Sequence, residues 1–324
     1  DDFGTSAVTL DLAEGSTYVF DQSDSSNSGH PLRFSTTSDG THNSGSEYTT
    51  GVTTTGTPGS AGAKTTIVVG SGVATLYYYC SSHSGMGGQA NTNSTAGASN
   101  FDGSIQSTVK VNQTAGFSIG KWTGTGSVNT VGTGLSNTKM VILKNRDSAS
   151  NWVVYHTLVD GSYAYMYLNL TNANASSSTP HTMNNTFKVG TNTDTNASGD
   201  DYLFLAFSPV AGYSAFGTYI GSGDTNGPYV YTGFKPAFIL LKTSTRSGDQ
   251  WVIHDTSRDT YNPADAYLLP NTSGAEGTIS GGIDILSNGF KVRNGSGSYG
   301  GSGDTYIWYA VAENPFSANG GLAR

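Results

Sequence analysis

Short apolar runs separated by long polar stretches set the rhythm of this chain. Met140-Val141-Ile142-Leu143 and Phe238-Ile239-Leu240-Leu241 stand out from surroundings rich in Gly, Ser, Thr and Asn. Apolar runs of about four to eight residues bounded by turn formers read as strands rather than helices. In Leu76-Tyr77-Tyr78-Tyr79-Cys80 the faces alternate, so Leu76, Tyr78 and Cys80 point one way and Tyr77 and Tyr79 the other. If Leu76 and Tyr78 face a core, Cys80 is the last inward residue before a Gly/Ser loop. His30, Leu32 and Phe34 share a face in the same way, which places His30 at the rim of a neighbouring strand. The pattern predicts an all-β protein with generous loops.

The same pattern recurs. Met140 to Lys144 is echoed by Phe238 to Lys242, and Asn151-Trp152-Val153-Val154-Tyr155-His156 by Gln250-Trp251-Val252-Ile253-His254-Asp255. Phe187-Lys188-Val189 returns as Phe290-Lys291-Val292, Gly199 to Phe204 as Gly303 to Trp308, and Gly120 to Gly126 as Gly217 to Gly223. A two-copy period of about 100 residues is too long for a solenoid and fits two β-sandwiches or two halves of a larger one. In each copy a polar turn separates the apolar strand from an alternating strand containing Trp, a hairpin signal. The matched Trp152 and Trp251 read as core or inter-sheet residues, with sugar stacking as the alternative. The expected division is residues 1–112, then repeats at 113–212 and 213–324.

Composition narrows the class. Charged residues are 12% of 324, with 44 glycines and 19 tyrosines, a mix suited to strands and turns rather than helical bundles. The net charge is −8 with no basic stripe, which argues against nucleic acid. No run reaches the roughly 18 to 20 apolar residues of a membrane span. No signal peptide is seen, and a start without methionine reads as a processed chain or a piece of a longer one. A single cysteine rules out an intrachain disulfide, while the polar, low-charge surface suggests an extracellular setting. The many Asn-x-Ser/Thr triplets are what such a composition produces by chance.

Candidate chemistry gathers around that cysteine. Cys80-Ser81-Ser82-His83-Ser84-Gly85-Met86 is a Cys-x2-His-x2-Met loop directly after a strand, and His30 lies upstream in Gly29-His30-Pro31. One thiolate, two imidazoles and a thioether form the donor set of a blue-copper site. The competing reading takes Cys80 as a small buried hydrophobe, Met86 as filler and His30 as a surface residue. Residues 5–112 resemble a cupredoxin, and the tight loop is similar to the amicyanin version of its motif. The resemblance implies a Greek-key β-sandwich with His30, Cys80 and His83 as trigonal ligands, Met86 as a weak axial ligand, and copper as the cofactor, in a site that can also stand empty. Pro31 after His30, and His42 as a second upstream histidine, depart from the pattern.

Residues 116–317 resemble a domain recurrent in structural proteins of marine tailed phages. The motifs are Val141 to Arg146, Tyr231 to Phe238 and Ser287 to Arg293, and Asp21 to Asn27 with Leu76 to Gly88 is similar to cupredoxin-like modules of such proteins. That resemblance implies an extracellular virion protein, of tail-fibre or tailspike kind, assembling with other appendage subunits or with itself, as a trimer in many such appendages, and meeting cell-surface glycans.

Other candidates weaken on inspection. Asn192-Thr193-Asp194-Thr195-Asn196 spaces oxygens like a calcium loop, but Ala197 and Leu203 occupy the turn-glycine and closing-glutamate positions, so a solvated turn is expected. The Gly-rich stretch Gly295 to Gly301 opens no helix and is no phosphate loop. Asp255, Asp259, Asp265, Glu276 and Asp284 form no spaced carboxylate pair, and His156, His181 and His254 read as rim or turn residues. The expectation is a structural or adhesive module and not an enzyme. A copper electron-transfer protein and a carbohydrate-binding protein are the alternatives.

Overall fold

The continuous apolar runs have a simple cause: their strands are covered on both faces. The structure, a computed structural model, describes residues 6–92, 97–159, 164–176 and 183–314. Its strands in chain order are β1 Leu10–Asp11, β2 Thr17–Asp21, β3 Leu32–Ser35, β4 Val52–Thr55, β5 Lys64–Val68, β6 Leu76–Cys80, β7 Gly87–Asn91, β8 Ala98–Asn100, β9 Ser107–Asn112, β10 Phe117–Thr123, β11 Asn129–Gly132, β12 Met140–Asn145 and β13 Val153–His156. They continue as β14 Ala164–Tyr167, β15 Ala175–Ser176, β16 Thr186–Val189, β17 Asp201–Phe207, β18 Ser214–Ile220, β19 Tyr229–Tyr231, β20 Pro236–Thr243, β21 Val252–Asp255, β22 Ala264–Tyr267, β23 Gly277–Leu286, β24 Gly289–Val292 and β25 Thr305–Ala312. The protein is all-β; its only helical pieces among the described residues are two short 3-10 turns. The chain forms two compact units, residues 1–110 and 111–324.

In the first unit a sheet ordered β1-β7-β6-β3 faces a smaller one ordered β2-β5-β4. Leu10, Leu12, Phe34, Ile67, Val69, Leu76 and Ala90 fill the space between, with Tyr78 packed against them. Phe20 and Phe34 meet edge to face at 5.6 Å. The expected alternation along β6 holds for Leu76 and Tyr78, but the opposite face is closed too. Tyr79 is 1% exposed and lies under the turn Gly40–Asn43. A Cβ on Gly40 would stand 2.4 Å from the Tyr79 ring, and Gly40 takes φ +53, so glycine is required there.

The second unit contains both repeats, built alike. Copy one runs β15-β14-β13-β12-β17-β10 with β11-β16 as its second sheet, and copy two runs β18-β25-β20-β21 with β19-β24-β23-β22. Trp122 stacks on Tyr202 at 4.8 Å, and Tyr219 stacks on Tyr306 at 4.8 Å. Asn169 accepts from the Trp152 amide at 2.9 Å, and Asn271 from the Trp251 amide at 3.0 Å. A Cβ at Gly124 would lie 2.0 Å from the Ala197 carbonyl oxygen, and at Gly221 2.2 Å from that of Gly301. The two glycines let matching loops close over matching strands. One element differs: β14 pairs with β13, whereas β22 leaves β21 and pairs with β23.

Each apolar run serves two cores at once. Ile239 and Leu241 sit in the core between the two sheets of copy two, with Phe290, Ile285, Tyr306 and Trp308. Leu240, between them in sequence, joins Trp251 and Ile307 in a separate cluster with Met140, Ile142, Val154 and Met166 of copy one. Neither face of these strands meets water, so strand alternation is invisible in their hydropathy. Trp251 is 1% exposed and donates through Nε1 to the Tyr167 carbonyl of the other copy at 2.9 Å. Trp152 packs partly buried on the same cluster.

Two histidines expected at rims or turns are instead fully enclosed. His156 and His254 are both 0% exposed; His181 lies outside the described residues. His156 Nε2 pairs with Asn174 Oδ1 at 3.1 Å. His254 stands at the inward position that Tyr155 fills in copy one, and its Nε2 pairs with the Tyr299 hydroxyl at 3.1 Å. Burial pushes the His254 imidazole down to about 4, against smaller upward pulls from the Ala266 backbone and from Asp259, Asp265 and Asp255. The unfolded chain binds a proton near pH 6.5 and the folded one only near 4, so stability is intact above 6.5 and falls between those values. The expected loss is about 3 kcal/mol by pH 4, and it flattens in His254→Gln. Urea unfolding at pH 7 and pH 4.5 measures it; equal slopes for the two proteins would overturn the assignment.

Candidate metal centre

Antiparallel pairing sets Leu32 opposite Cys80. His30 precedes Leu32 by two residues on the same side, so its ring extends past the strand end and over the cysteine. The segment that carries it is held by Gln22, which is 5% exposed. Gln22 Nε2 donates to the His30 carbonyl at 2.8 Å, and its Oε1 accepts from the Leu32 amide at 3.1 Å. Pro31, which has no N–H to satisfy, fits between those two contacts. The departure from pattern at residue 31 is therefore accommodated by a side chain nine positions upstream. No sequence signal singled out Gln22.

The loop after β6 closes on itself. The Cys80 amide donates to the Met86 carbonyl at 2.8 Å and the Ser81 amide to the Pro31 carbonyl at 3.0 Å. The Gly85 amide donates to Asp39 Oδ1 at 2.9 Å. This fold-back brings His83 beside its own cysteine. Cys80 Sγ lies 3.5 Å from His83 Nδ1 and 3.8 Å from His30 Nδ1. The rings of His30 and His83 have centroids 4.6 Å apart. The three donor atoms all fall within 4.8 Å of one another, with Cys80 buried, His30 half-buried and His83 exposed. Among the described residues no other group of three or more His, Cys, Asp or Glu side chains does so.

These separations suit one ion. Metal–sulfur bonds of about 2.3 Å and metal–nitrogen bonds of about 2.0–2.1 Å, at angles between tetrahedral and trigonal, put sulfur and nitrogen about 3.5–3.8 Å apart. Three of the four expected ligands are thus brought together. Met86 is on the wall of a cavity of about 360 Å3 that His30 and Cys80 also line. It is 45% exposed, and its carbonyl makes a contact that shapes the loop.

His42, the other upstream histidine, is not in the cluster. Its Nε2 meets the Cys80 carbonyl at 3.0 Å, and its ring stands edge-on to Tyr79 at 6.2 Å. It fixes the peptide that carries the sulfur. The calcium-like loop is a turn exposed at Asn192 and Thr193, as expected, but three of its side-chain oxygens are committed within the protein. Asn192 Oδ1 accepts from Thr195 Oγ1 at 2.8 Å, Asp194 Oδ1 accepts from the Asn151 amide at 3.0 Å, and Asn196, 0% exposed, accepts from Trp122 Nε1 at 3.3 Å.

Residues 89–315 match the model of a family described as Domain of unknown function (DUF7483). The match covers more than half of the chain, which belongs to that family. The matched span begins beyond His30, Cys80, His83 and Met86, so the cluster lies outside it. No curated protein and no solved structure matches the chain.

Proposed function

We propose that this member of the family is an extracellular structural or adhesive module of a virion appendage, of tail-fibre or tailspike kind, whose first unit holds one copper ion. His30, Cys80 and His83 are its principal ligands and Met86 its weak axial one. The convergence of one sulfur and two imidazole nitrogens within 4.8 Å carries the metal reading. A thiolate with two imidazoles selects copper or zinc over the oxygen-loving cations. A copper ion so held would supply one-electron chemistry or a cross-link. The chain's own part is to fix the donors: Gln22 clamps the His30 segment, the Met86 carbonyl closes the loop, and His42 anchors the Cys80 peptide. The ion would tie the start of β3 to the end of β6, and its binding energy would add to folding energy.

One equivalent of Cu(II) added to the full chain should give an intense thiolate-to-copper absorption near about 600 nm, absent in Cys80→Ser. A wild-type chain that neither colours nor retains copper after dialysis would refute the metal reading. The virion setting is supported by the motifs of residues 116–317 and by the doubly covered sheets of the second unit. Antibody against the chain should label appendages of purified particles in electron micrographs; unlabelled particles would refute that setting while leaving the metal site untouched.

A further inference from the structure

In the second copy, the loop from Thr256 to Asn262 borders a cavity of about 220 Å3 that nothing above uses. We propose that this cavity, with Tyr261 at its mouth, binds a single neutral sugar ring. Three observations carry the inference, and none depends on the metal or on the virion setting.

The first is the tyrosine itself. Tyr261 is 86% exposed, the highest value among the exposed large hydrophobic side chains of the described residues. Such a ring offers a ligand a large flat apolar face on which to stack. The second is the rigidity of the loop that presents it. Asp255 caps the Ser257 and Arg258 amides at 3.0 Å each. Asp259 Oδ2 accepts from the Ala266 amide at 2.5 Å. Asn262 pairs with the Ile285 backbone in both directions, at 2.9 and 2.8 Å. The ring is therefore held out by a built loop and is not the tip of a loose one.

The third is the chemistry of the wall. Asp259, Glu313, Lys235, Thr256 and Thr260 face the cavity. Lys235 Nζ bonds Glu313 Oε1 at 2.9 Å, which largely neutralises that pair. Two carboxylates against one ammonium disfavour an anion, and the lysine disfavours a bare cation. What remains is a mixed array of donors and acceptors beside a stacking face, which matches the ring C–H face and hydroxyls of a pyranose. The volume is below the roughly 300–1,000 Å3 of pockets for larger ligands, so one ring fits and a longer chain would run out across Tyr261.

Saturation-transfer NMR on the full chain, treated with chelator, tests this with methyl glycosides of glucose, galactose, mannose and N-acetylglucosamine. At least one should receive saturation, strongest at ring C–H protons, and Tyr261→Ala should weaken its binding about tenfold or more. Tyr261 is so exposed that its removal leaves the fold intact, which an unchanged melting curve checks. Tyr231→Ala, at an exposed tyrosine 66% accessible and outside the cavity, should bind as wild type. Absence of saturation for all four sugars, survival of binding in Tyr261→Ala, or equal loss in Tyr231→Ala would each overturn the proposal.

Discussion

Saturating copper should raise the melting temperature of the transition that unfolds residues 1–110 by about 15 °C, and Cys80→Ser should abolish the rise. A ligand that binds only the folded state adds about 4 kcal/mol when present at a thousand times its dissociation constant, and a domain of about 100 residues gains roughly 4 °C or more per kcal/mol. The unfolded chain cannot compete well, because His30 and Cys80 are separated by 50 positions of chain that must be closed into a loop. Cys80 is buried, so its replacement also perturbs the metal-free protein. His83→Ala avoids that difficulty. His83 is exposed, so the apo protein should melt as wild type while most of the copper-dependent rise disappears. Calorimetry of the three proteins with and without copper decides the matter. A rise that is the same in all three would mean that copper binds elsewhere.

The second large effect lies between the repeats. Trp251→Ala should cost about 3–5 kcal/mol, a large share of the roughly 5–15 kcal/mol that stabilises a typical domain. The side chain fills the layer shared by the copies, and its Nε1 satisfies the Tyr167 carbonyl. Trp251→Phe keeps most of the bulk and removes that bond, while the Tyr167 carbonyl keeps the Leu170 amide at 3.3 Å, so the cost should be about 0.5–1.5 kcal/mol. Trp152→Ala, at the matching but only partly buried position, should cost less than Trp251→Ala. Urea denaturation measures all three. A Trp251→Ala protein within about 1 kcal/mol of wild type would remove the tryptophan from the list of residues that join the copies.

What could be read in advance follows from how far apart the interacting residues lie. The loop from Cys80 to Met86 is short, so the meeting of Cys80 and His83 was visible in spacing alone, and strand alternation placed His30 near them. The roles of Gln22 and His42 were not visible, because each acts on a backbone group, and backbone contacts leave no pattern of residue types. The all-β class was legible in the turn-rich composition, and the duplication in its echoes. The layer between the copies was hidden for a different reason. Met140-Val141-Ile142-Leu143 looks uniform in hydropathy, although Met140 and Ile142 belong to the shared cluster, and only the structure separates the two sets. The buried histidines are not legible in the sequence because a polar residue in a strand suggests an edge. His254 instead replaces the aromatic of copy one and finds a hydroxyl partner inside the core.

The layer built from Leu240, Trp251 and Ile307 against Met140, Ile142, Val154 and Met166 also governs how such a protein can be inherited. Recombination that moved one half alone would carry with it an uncovered apolar flank. The smallest cassette that travels between genes with its surfaces already matched is the pair, whereas the opposing loops, Tyr261 included, can diversify without disturbing that bond.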